Sequence, residues 1–141
     1  MILIIDDEPW TMEPYIRELR KSKISYVIID TLQGGVDFIN SHIDEIEIVV
    51  LDMMMPLPEN IIDKEEYEGG LKAGLYVFRK IIEIEPKMPI IVLTNRILQP
   101  IKDTQNRCKN VIIRQKLDTP SFFLPQLIID HKRIIESHHD G

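Results

Sequence analysis

The chain has 141 residues, of which 44% are hydrophobic and 28% are charged, and its formal net charge is -6. This length and composition predict one globular domain over residues 1–141 and exclude a disordered or fibrous protein. The negative charge argues against direct binding of nucleic acid, which requires a basic surface. Metal cations are the more natural ligands of such a chain.

Cellular location is constrained by three further features of the sequence. No run of about 18 apolar residues is present, so no membrane span and no membrane partner are expected. The apolar start is followed after Ile5 by Asp6 and Asp7 and has no basic leader, which excludes a signal peptide. Cys108 is the only cysteine and cannot form an intrachain disulfide, which fits a reducing compartment. The sequence therefore predicts a cytoplasmic protein.

Five short apolar runs have the length and composition of buried β-strands. They lie at Ile2–Ile5, within Ile24–Leu32, at Ile46–Leu51, at Pro89–Thr94 and at Val111–Ile113. Continuous apolar runs are typical of strands that are buried on both faces.

Helical spacing of apolar residues separates these strands. Helices are predicted at Glu13–Lys21, after the pair Gly34 and Gly35, at Leu71–Glu85, weakly at Pro100–Cys108, and from Thr119 and Pro120 nearly to the end. Thr119 and Pro120 suit an N-cap and a first-turn proline. Strands that alternate with helices predict an α/β fold with a five-stranded parallel sheet and helices on both faces.

One polar and acidic segment, Leu57–Gly69, shows no apolar period and is predicted to be a long loop. A solvated surface insertion is the favoured interpretation, because loops tolerate added length at small entropic cost. A lid or docking segment beside Asp52 is the open alternative.

Five residues of suitable type stand at or shortly after the carboxyl ends of four of the five predicted strands. They are Asp6, Asp7, Asp52, Thr94 and Lys116. The carboxyl ends of parallel strands share one edge of the sheet, so these side chains are expected to converge there. Three carboxylates in close proximity repel one another, and a hard cation such as Mg²⁺ relieves that repulsion with oxygen ligands. A lysine and a hydroxyl beside them would complete a site for a phosphoryl group.

Four stretches of the chain resemble response-regulator receiver domains of two-component signalling, which are CheY-like phosphoacceptor modules. They are I-L-I-I-D-D-E-P, I-V-V-L-D-M-M-M-P, P-I-I-V-L-T and the lysine that ends the fifth strand, and together they span almost the whole chain. The resemblance implies the flavodoxin-like (βα)5 receiver fold. It also implies a phosphorelay in which a histidine kinase or histidine phosphotransfer protein is the phosphoryl donor.

The resemblance also assigns roles at the acidic edge. Asp52 would be the phosphoacceptor, and Asp7, Asp52 and the backbone carbonyl of Met54 would hold Mg²⁺, with Asp6 acting through water. Phosphorylation would change affinity for an unknown output protein, and a homodimer is one open assembly. The chain would then act only on its own phosphoryl group and would not be an enzyme for a separate substrate.

Two side chains complete the set that the resemblance implies. Lys116 would pair with Asp52 and then with a phosphoryl oxygen. Thr94 would donate a hydrogen bond to the phosphoryl group. Positioning and electrostatics would supply most of the catalysis.

Three positions depart from the receiver pattern. Leu117 stands where receivers mostly have proline after the lysine, Ile113 replaces an aromatic residue, and Asn95 replaces a small residue after Thr94. These departures support an alternative function, a receiver-like protein-interaction module that is not controlled by phosphorylation. A flavin-binding protein is disfavoured, because Asp6 and Asp7 would repel the flavin phosphate.

Other residues that could suggest a site have plainer interpretations. His131, His138 and His139 lack the spacing of a zinc site and are expected to be exposed. Residues 53–55 are three methionines that suit packing around Asp52. Trp10 is expected near the acidic residues.

Overall fold

The computed structural model of the chain describes residues 1–52, 73–94 and 110–139. Its strands form one five-stranded sheet in the order β2-β1-β3-β4-β5, and every neighbouring pair is parallel. The strands are β1 (Ile2–Ile5), β2 (Tyr26–Ile29), β3 (Ile48–Leu51), β4 (Ile90–Thr94) and β5 (Val111–Gln115). The predicted parallel α/β fold is confirmed.

The most apolar strands occupy the middle of the sheet. Every residue of β1, β3 and β4 is buried, whereas β2 and β5 form the two edges and include partly exposed residues. A central strand of a covered parallel sheet contacts helices on both faces, so its side chains are predominantly apolar. The unbroken apolar runs of the sequence therefore mark the central strands.

Four helices cover the two faces of the sheet within the described residues. They are α1 (Glu13–Lys21), α2 (Leu32–His42), α3 (Ala73–Ile84) and α4 (Leu124–His139). The core residues of α2 and α3 pack with one alternating set of strand residues, which includes Leu3, Ile5 and Val49. Those of α1 and α4 pack with the other set, which includes Ile2, Ile4 and Ile48. The period of two along each strand thus divides the core into two layers.

A short 3-10 helix, Pro9–Met12, leads directly into α1. Proline lies in the first turn of both helices, where its missing N–H would have no partner in any case. Tyr15, Ile16 and Leu19 form the buried stripe of α1 at helical spacing. This stripe fixes α1 against the sheet, and with it the segment that follows the acidic pair.

Helix α2 begins before the glycine pair and not after it, so the predicted start was wrong. Thr31 is its N-cap, and the Thr31 hydroxyl accepts a hydrogen bond of 3.0 Å from the Gly34 N–H. A Cβ on Gly35 would lie 2.7 Å from Cδ1 of Ile5. The glycine is therefore required by the close approach of α2 to β1 rather than by a turn.

The segment after β5 also differs from the prediction. The strand runs to Gln115, and a 3-10 turn follows at Lys116–Asp118. The Thr119 hydroxyl donates back to the Gln115 carbonyl at 2.8 Å instead of capping a helix. Helix α4 begins only at Leu124, after a second 3-10 turn at Ser121–Phe123. Thr119 thus stabilises the turn that follows Lys116.

Several predicted features lie outside the described residues. They are the Leu57–Gly69 segment, the methionines at 53–55, Asn95, the weak helix at Pro100–Cys108, and Cys108. A single domain with an acidic insertion therefore stays a prediction. No helix among the described residues is long and apolar enough to cross a bilayer.

Candidate functional site

The candidate site lies at the carboxyl edge of the sheet, where β1 and β3 run side by side. Ile5 and Leu51 are partners in register, so Asp6 and Asp52 leave the sheet next to each other. The Asp52 N–H donates to the Ile5 carbonyl at 3.0 Å. The chain crosses from one side of the sheet to the other between these two strands, the place where ligands bind in open α/β sheets.

Three carboxylates meet at this edge. One ligand oxygen each from Asp6, Asp7 and Asp52 lies within 4.8 Å of the other two. Asp6 and Asp52 are buried, and Asp7 is partly exposed. Hard oxygen donors at this separation suit Mg²⁺ or another hard divalent cation, which would offset their mutual repulsion. The residues present therefore fit the predicted metal, and the backbone carbonyl of Met54 lies outside the described residues.

The pKa of Asp7 shows the electrostatic cost of this cluster. Burial raises the pKa of Asp7 above its ordinary value, and the negative charges of Asp6 and Glu8 raise it further. The positive charge of Lys116 acts in the opposite direction but is the smaller influence. The cluster thus carries more negative charge than its one lysine offsets at Asp7.

Asp6 uses both carboxylate oxygens within the protein. Oδ1 accepts a hydrogen bond of 2.9 Å from the Glu8 N–H, which closes the turn after β1. Oδ2 accepts a hydrogen bond of 2.9 Å from the Lys116 ammonium. With both oxygens engaged, Asp6 is well placed to orient Lys116 and to act on a cation indirectly.

Lys116 reaches into the acidic cluster from the end of β5, and its side chain is 10% exposed. Its Nζ is 2.9 Å from Asp6 Oδ2 and 3.8 Å from Asp52 Oδ2. The nearest carboxylate is therefore Asp6, while Asp52 lies within ion-pair range. Nζ also donates a hydrogen bond of 3.3 Å to the hydroxyl of Thr11. A buried ammonium with these partners can stabilise negative charge that develops beside Asp52.

Thr94 is the last residue of β4 and is completely buried. It is in register with Gln115, the residue before Lys116. The structure thus places all five residues of the predicted set at one edge of the sheet, after β1, β3 and β5 and at the end of β4. Their proposed catalytic and metal-binding roles stay predictions.

Two hydroxyl residues near the site were not singled out from the sequence. Thr11 accepts from Lys116, and Tyr15 donates to the carbonyls of Lys116 and Thr119 at 3.2 and 2.7 Å. Tyr15 also belongs to the buried apolar stripe of α1, which gives it a packing role beside its hydrogen bonds. No local pattern of the sequence identifies either residue as a partner of Lys116, because both contacts join residues more than 100 positions apart.

The prediction that His131 is exposed was wrong, since the residue is 3% exposed. Its place is on the buried stripe of α4, with Leu124 and Ile128. Its Nε2 lies 2.8 Å from the Asn110 carbonyl, which can only accept, so Nε2 carries the proton. Burial lowers the pKa of His131 against the opposing effect of hydrogen bonds to the Asn110 and Ile90 backbones.

Two of the three departures from the receiver pattern, Ile113 and Leu117, lie among the described residues. Ile113 is buried in the core, 5% exposed. Leu117 is 89% exposed, and the peptide that precedes it is trans. Trp10 lies in the 3-10 helix after the acidic pair and is 71% exposed. Asn95 is outside the described residues.

The parallel sheet and the acidic edge together define a doubly wound α/β protein with a carboxylate cluster that is compatible with a divalent cation. No protein-family model and no curated protein matches the sequence. Solved structures do match it over nearly the whole chain.

Three of these structures illustrate the similarity. A response regulator receiver domain protein from Clostridium thermocellum is 20% identical, with 98% of this chain and 95% of that chain covered and a TM-score of 0.67. A CheY-like receiver domain protein from Methanospirillum hungatei is 17% identical, with coverage of 97% and 96% and a TM-score of 0.73. The isolated REC domain of RcsB from Salmonella enterica serovar Typhimurium, solved with the phosphomimetic BeF3-, is 18% identical, with coverage of 91% and 84% and a TM-score of 0.66. The chain has the fold of response-regulator receiver domains.

Proposed function

We propose that the chain is the phosphoacceptor receiver of a two-component phosphorelay, with Asp52 as the acceptor. The observation that supports this most directly is the clustering of Asp6, Asp7 and Asp52 within 4.8 Å, with the Lys116 ammonium among them. A receiver fold alone would not require these residue types at this edge. The cluster supplies a nucleophile, oxygen donors for a cation and a fixed positive charge.

In this proposal a carboxylate oxygen of Asp52 forms a bond to phosphorus as the bond from phosphorus to the phosphohistidine nitrogen breaks. The electron pair stays on the imidazole nitrogen, which then takes a proton from solvent. When bound, Mg²⁺ would offset the negative charge of the incoming phosphoryl oxygens. Lys116 would stabilise the same charge from the other side, and Thr94 would hydrogen-bond to the transferred group.

The partners follow from this chemistry. A histidine kinase or a histidine phosphotransfer protein would donate the phosphoryl group, and an output protein would bind with altered affinity afterwards. The chain would act only on its own aspartyl phosphate and would not be an enzyme for a separate substrate. The net charge of -6 disfavours direct binding of nucleic acid. A cytoplasmic setting is part of the proposal and is supported by the lone cysteine.

The test is incubation with phosphoramidate or acetyl phosphate and Mg²⁺, followed by intact mass measurement. We expect a gain of one phosphoryl group in the wild type and none in Asp52→Asn. Asp30→Asn is the matched control, because Asp30 is an exposed residue that follows β2 at the same edge and is not one of the three clustered carboxylates. No gain with either donor, or a gain that survives Asp52→Asn, would contradict the proposal.

A second candidate is an interaction module that keeps the receiver fold without phosphorylation control. Ile113 favours it, because a buried aliphatic side chain cannot act as an aromatic rotamer switch. This candidate replaces the first if Mg²⁺ and beryllofluoride leave the fluorescence of Trp10 unchanged and neither phosphoryl donor adds mass to the protein.

A further inference from the structure

Lys116 is hydrogen-bonded through its backbone to α1 and through its side chain to the 3-10 helix Pro9–Met12. Its backbone carbonyl accepts a hydrogen bond of 3.2 Å from the Tyr15 hydroxyl, and its ammonium donates one of 3.3 Å to the Thr11 hydroxyl. We propose that Tyr15 and Thr11 are positioning residues that hold the Lys116 ammonium in the acidic cluster. The inference rests on the proposed function for its consequence in phosphotransfer, but not for the placement of the lysine.

The turn that carries Lys116 has only a few restraints of its own. Leu117 does not fix its own φ as proline would, and its side chain is 89% exposed, so it contributes little packing to the turn. Within the turn, the Thr119 N–H donates to the Lys116 carbonyl at 3.3 Å, a long hydrogen bond. The Thr119 hydroxyl also donates to the Gln115 carbonyl at 2.8 Å, which holds the Thr119 end of the turn from within. The Lys116 carbonyl, whose hydrogen bond within the turn is long, gains support from a donor outside the turn.

Tyr15 supplies that support from α1. Its hydroxyl is 2.7 Å from the Thr119 carbonyl and 3.2 Å from the Lys116 carbonyl, so one proton is shared between the two ends of the turn. The Tyr15 side chain is 6% exposed, and Thr119 is 5% exposed. Burial raises the pKa of Tyr15, which keeps the hydroxyl protonated and donating at any ordinary pH.

Thr11 acts on the other end of the lysine. Its hydroxyl donates to the Glu8 carbonyl at 2.8 Å, which directs a lone pair towards other donors. The Lys116 ammonium uses that lone pair at 3.3 Å and donates a second hydrogen bond to Asp6 at 2.9 Å. Thr11 and Asp6 together account for two of the three ammonium donors, and they hold Nζ 3.8 Å from Asp52.

Core packing anchors the helical segment that carries both hydroxyls. Met12, Tyr15, Ile16 and Leu19 are buried in the core layer that joins α1 to β1, β3 and α4. The Tyr15 ring lies in this layer, and Thr11 directly precedes the buried Met12. The two hydroxyls are therefore placed by the packing of the segment and not by the lysine that they contact.

The first test follows the lysine itself. The ammonium signal of Lys116 is recorded by ¹H–¹⁵N NMR and assigned by its loss in Lys116→Met. We expect the signal to shift or broaden in Tyr15→Phe and in Thr11→Val, and to be retained in Thr11→Ser, which restores the hydroxyl. Tyr26→Phe is the matched control, since the Tyr26 hydroxyl accepts from Arg20 on the surface. An unchanged signal in both Tyr15→Phe and Thr11→Val would overturn the inference, whether or not the protein accepts a phosphoryl group.

The second test measures the rate of phosphorylation by phosphoramidate at saturating Mg²⁺. We expect phosphorylation to be roughly tenfold slower in Tyr15→Phe and Thr11→Val, because a misplaced catalytic group lowers the rate of the chemical step more than it weakens the binding of Mg²⁺. The Mg²⁺ concentration for half-saturation should stay within about twofold of the wild type, and Thr11→Ser should react at the wild-type rate. A lysine signal that shifts without any change in rate would overturn the catalytic consequence. A wild type that is never phosphorylated would instead reject the proposed function, with the placement decided by NMR.

Discussion

Two ion pairs of this protein have nearly the same length and very different surroundings. Lys116 Nζ is 2.9 Å from Asp6 Oδ2, with side-chain exposures of 10% and 3%. Lys132 Nζ is 3.0 Å from Glu47 Oε2, with exposures of 30% and 53%. Burial is therefore the main difference between them, and replacing each lysine by methionine measures its effect.

The expected cost of Lys116→Met follows from these distances. At an effective dielectric constant of about 20, Lys116 is attracted by about 6 kcal/mol to Asp6 at 2.9 Å and by about 4 kcal/mol to Asp52 at 3.8 Å. Desolvation of each charge offsets several kcal/mol of this attraction in the wild type. The variant keeps the buried carboxylates without their cation, so we expect the free energy of unfolding to fall by about 3–5 kcal/mol.

The control should behave differently. Lys132→Met removes an exposed pair, for which solvent screening limits the loss to about 0.2–1 kcal/mol. Urea unfolding followed by circular dichroism measures both variants in EDTA and again in Mg²⁺. We expect Mg²⁺ to stabilise Lys116→Met more than the wild type, because the cation would bind a cluster with one more unbalanced negative charge. Equal losses of stability in the two lysine variants would refute the reasoning about burial. Equal stabilisation of Lys116→Met and the wild type by Mg²⁺ would refute the reasoning about the unbalanced charge.

Two further predictions concern the packing of the fold. Burial lowers the pKa of His131 in the folded state below its unfolded pKa of about 6.5. The contribution of neutral His131 to stability is therefore complete above that unfolded pKa and is lost as the pH falls towards the folded pKa. The slope is at most about 1.4 kcal/mol per pH unit. The free energy of unfolding, measured between pH 5 and about 8, should show this slope in the wild type and in His42→Asn, the control at an exposed histidine. An unchanged slope in His131→Asn would contradict the prediction. Gly35→Ala gains about 1 kcal/mol of helix propensity but places a Cβ 2.7 Å from Ile5 Cδ1, so we expect a net loss of about 1–2 kcal/mol. Ile5→Val lacks that Cδ1 and should reduce the cost of Gly35→Ala, whereas additive losses in the double variant would exclude the contact.

Much of the fold was predictable because local patterns correspond to burial. An unbroken run such as Ile48–Leu51 specifies a strand covered on both faces, and α1 was placed by its apolar stripe at helical spacing. Two errors arose where a local pattern has more than one structural use. Glycine pairs serve turns and close packing alike, and only the 2.7 Å approach of α2 to Ile5 shows which applies at Gly35. A histidine near the end of a chain is typical of the surface, but the orientation of α4 about its axis places His131 on the same buried side as Leu124 and Ile128.

The sequence by itself indicated which polar residues stand at or shortly after the carboxyl ends of four strands, because residues of definite type end or follow those apolar runs. That pattern was sufficient to name Asp6, Asp7, Asp52, Thr94 and Lys116. Only the tertiary structure decided how they are paired. Lys116 lies closest to Asp6 and takes Thr11 and Tyr15 as additional partners, all more than 100 residues away along the chain. Contacts at that separation depend on the packing of α1 against the sheet, and no local property of the sequence specifies that distance.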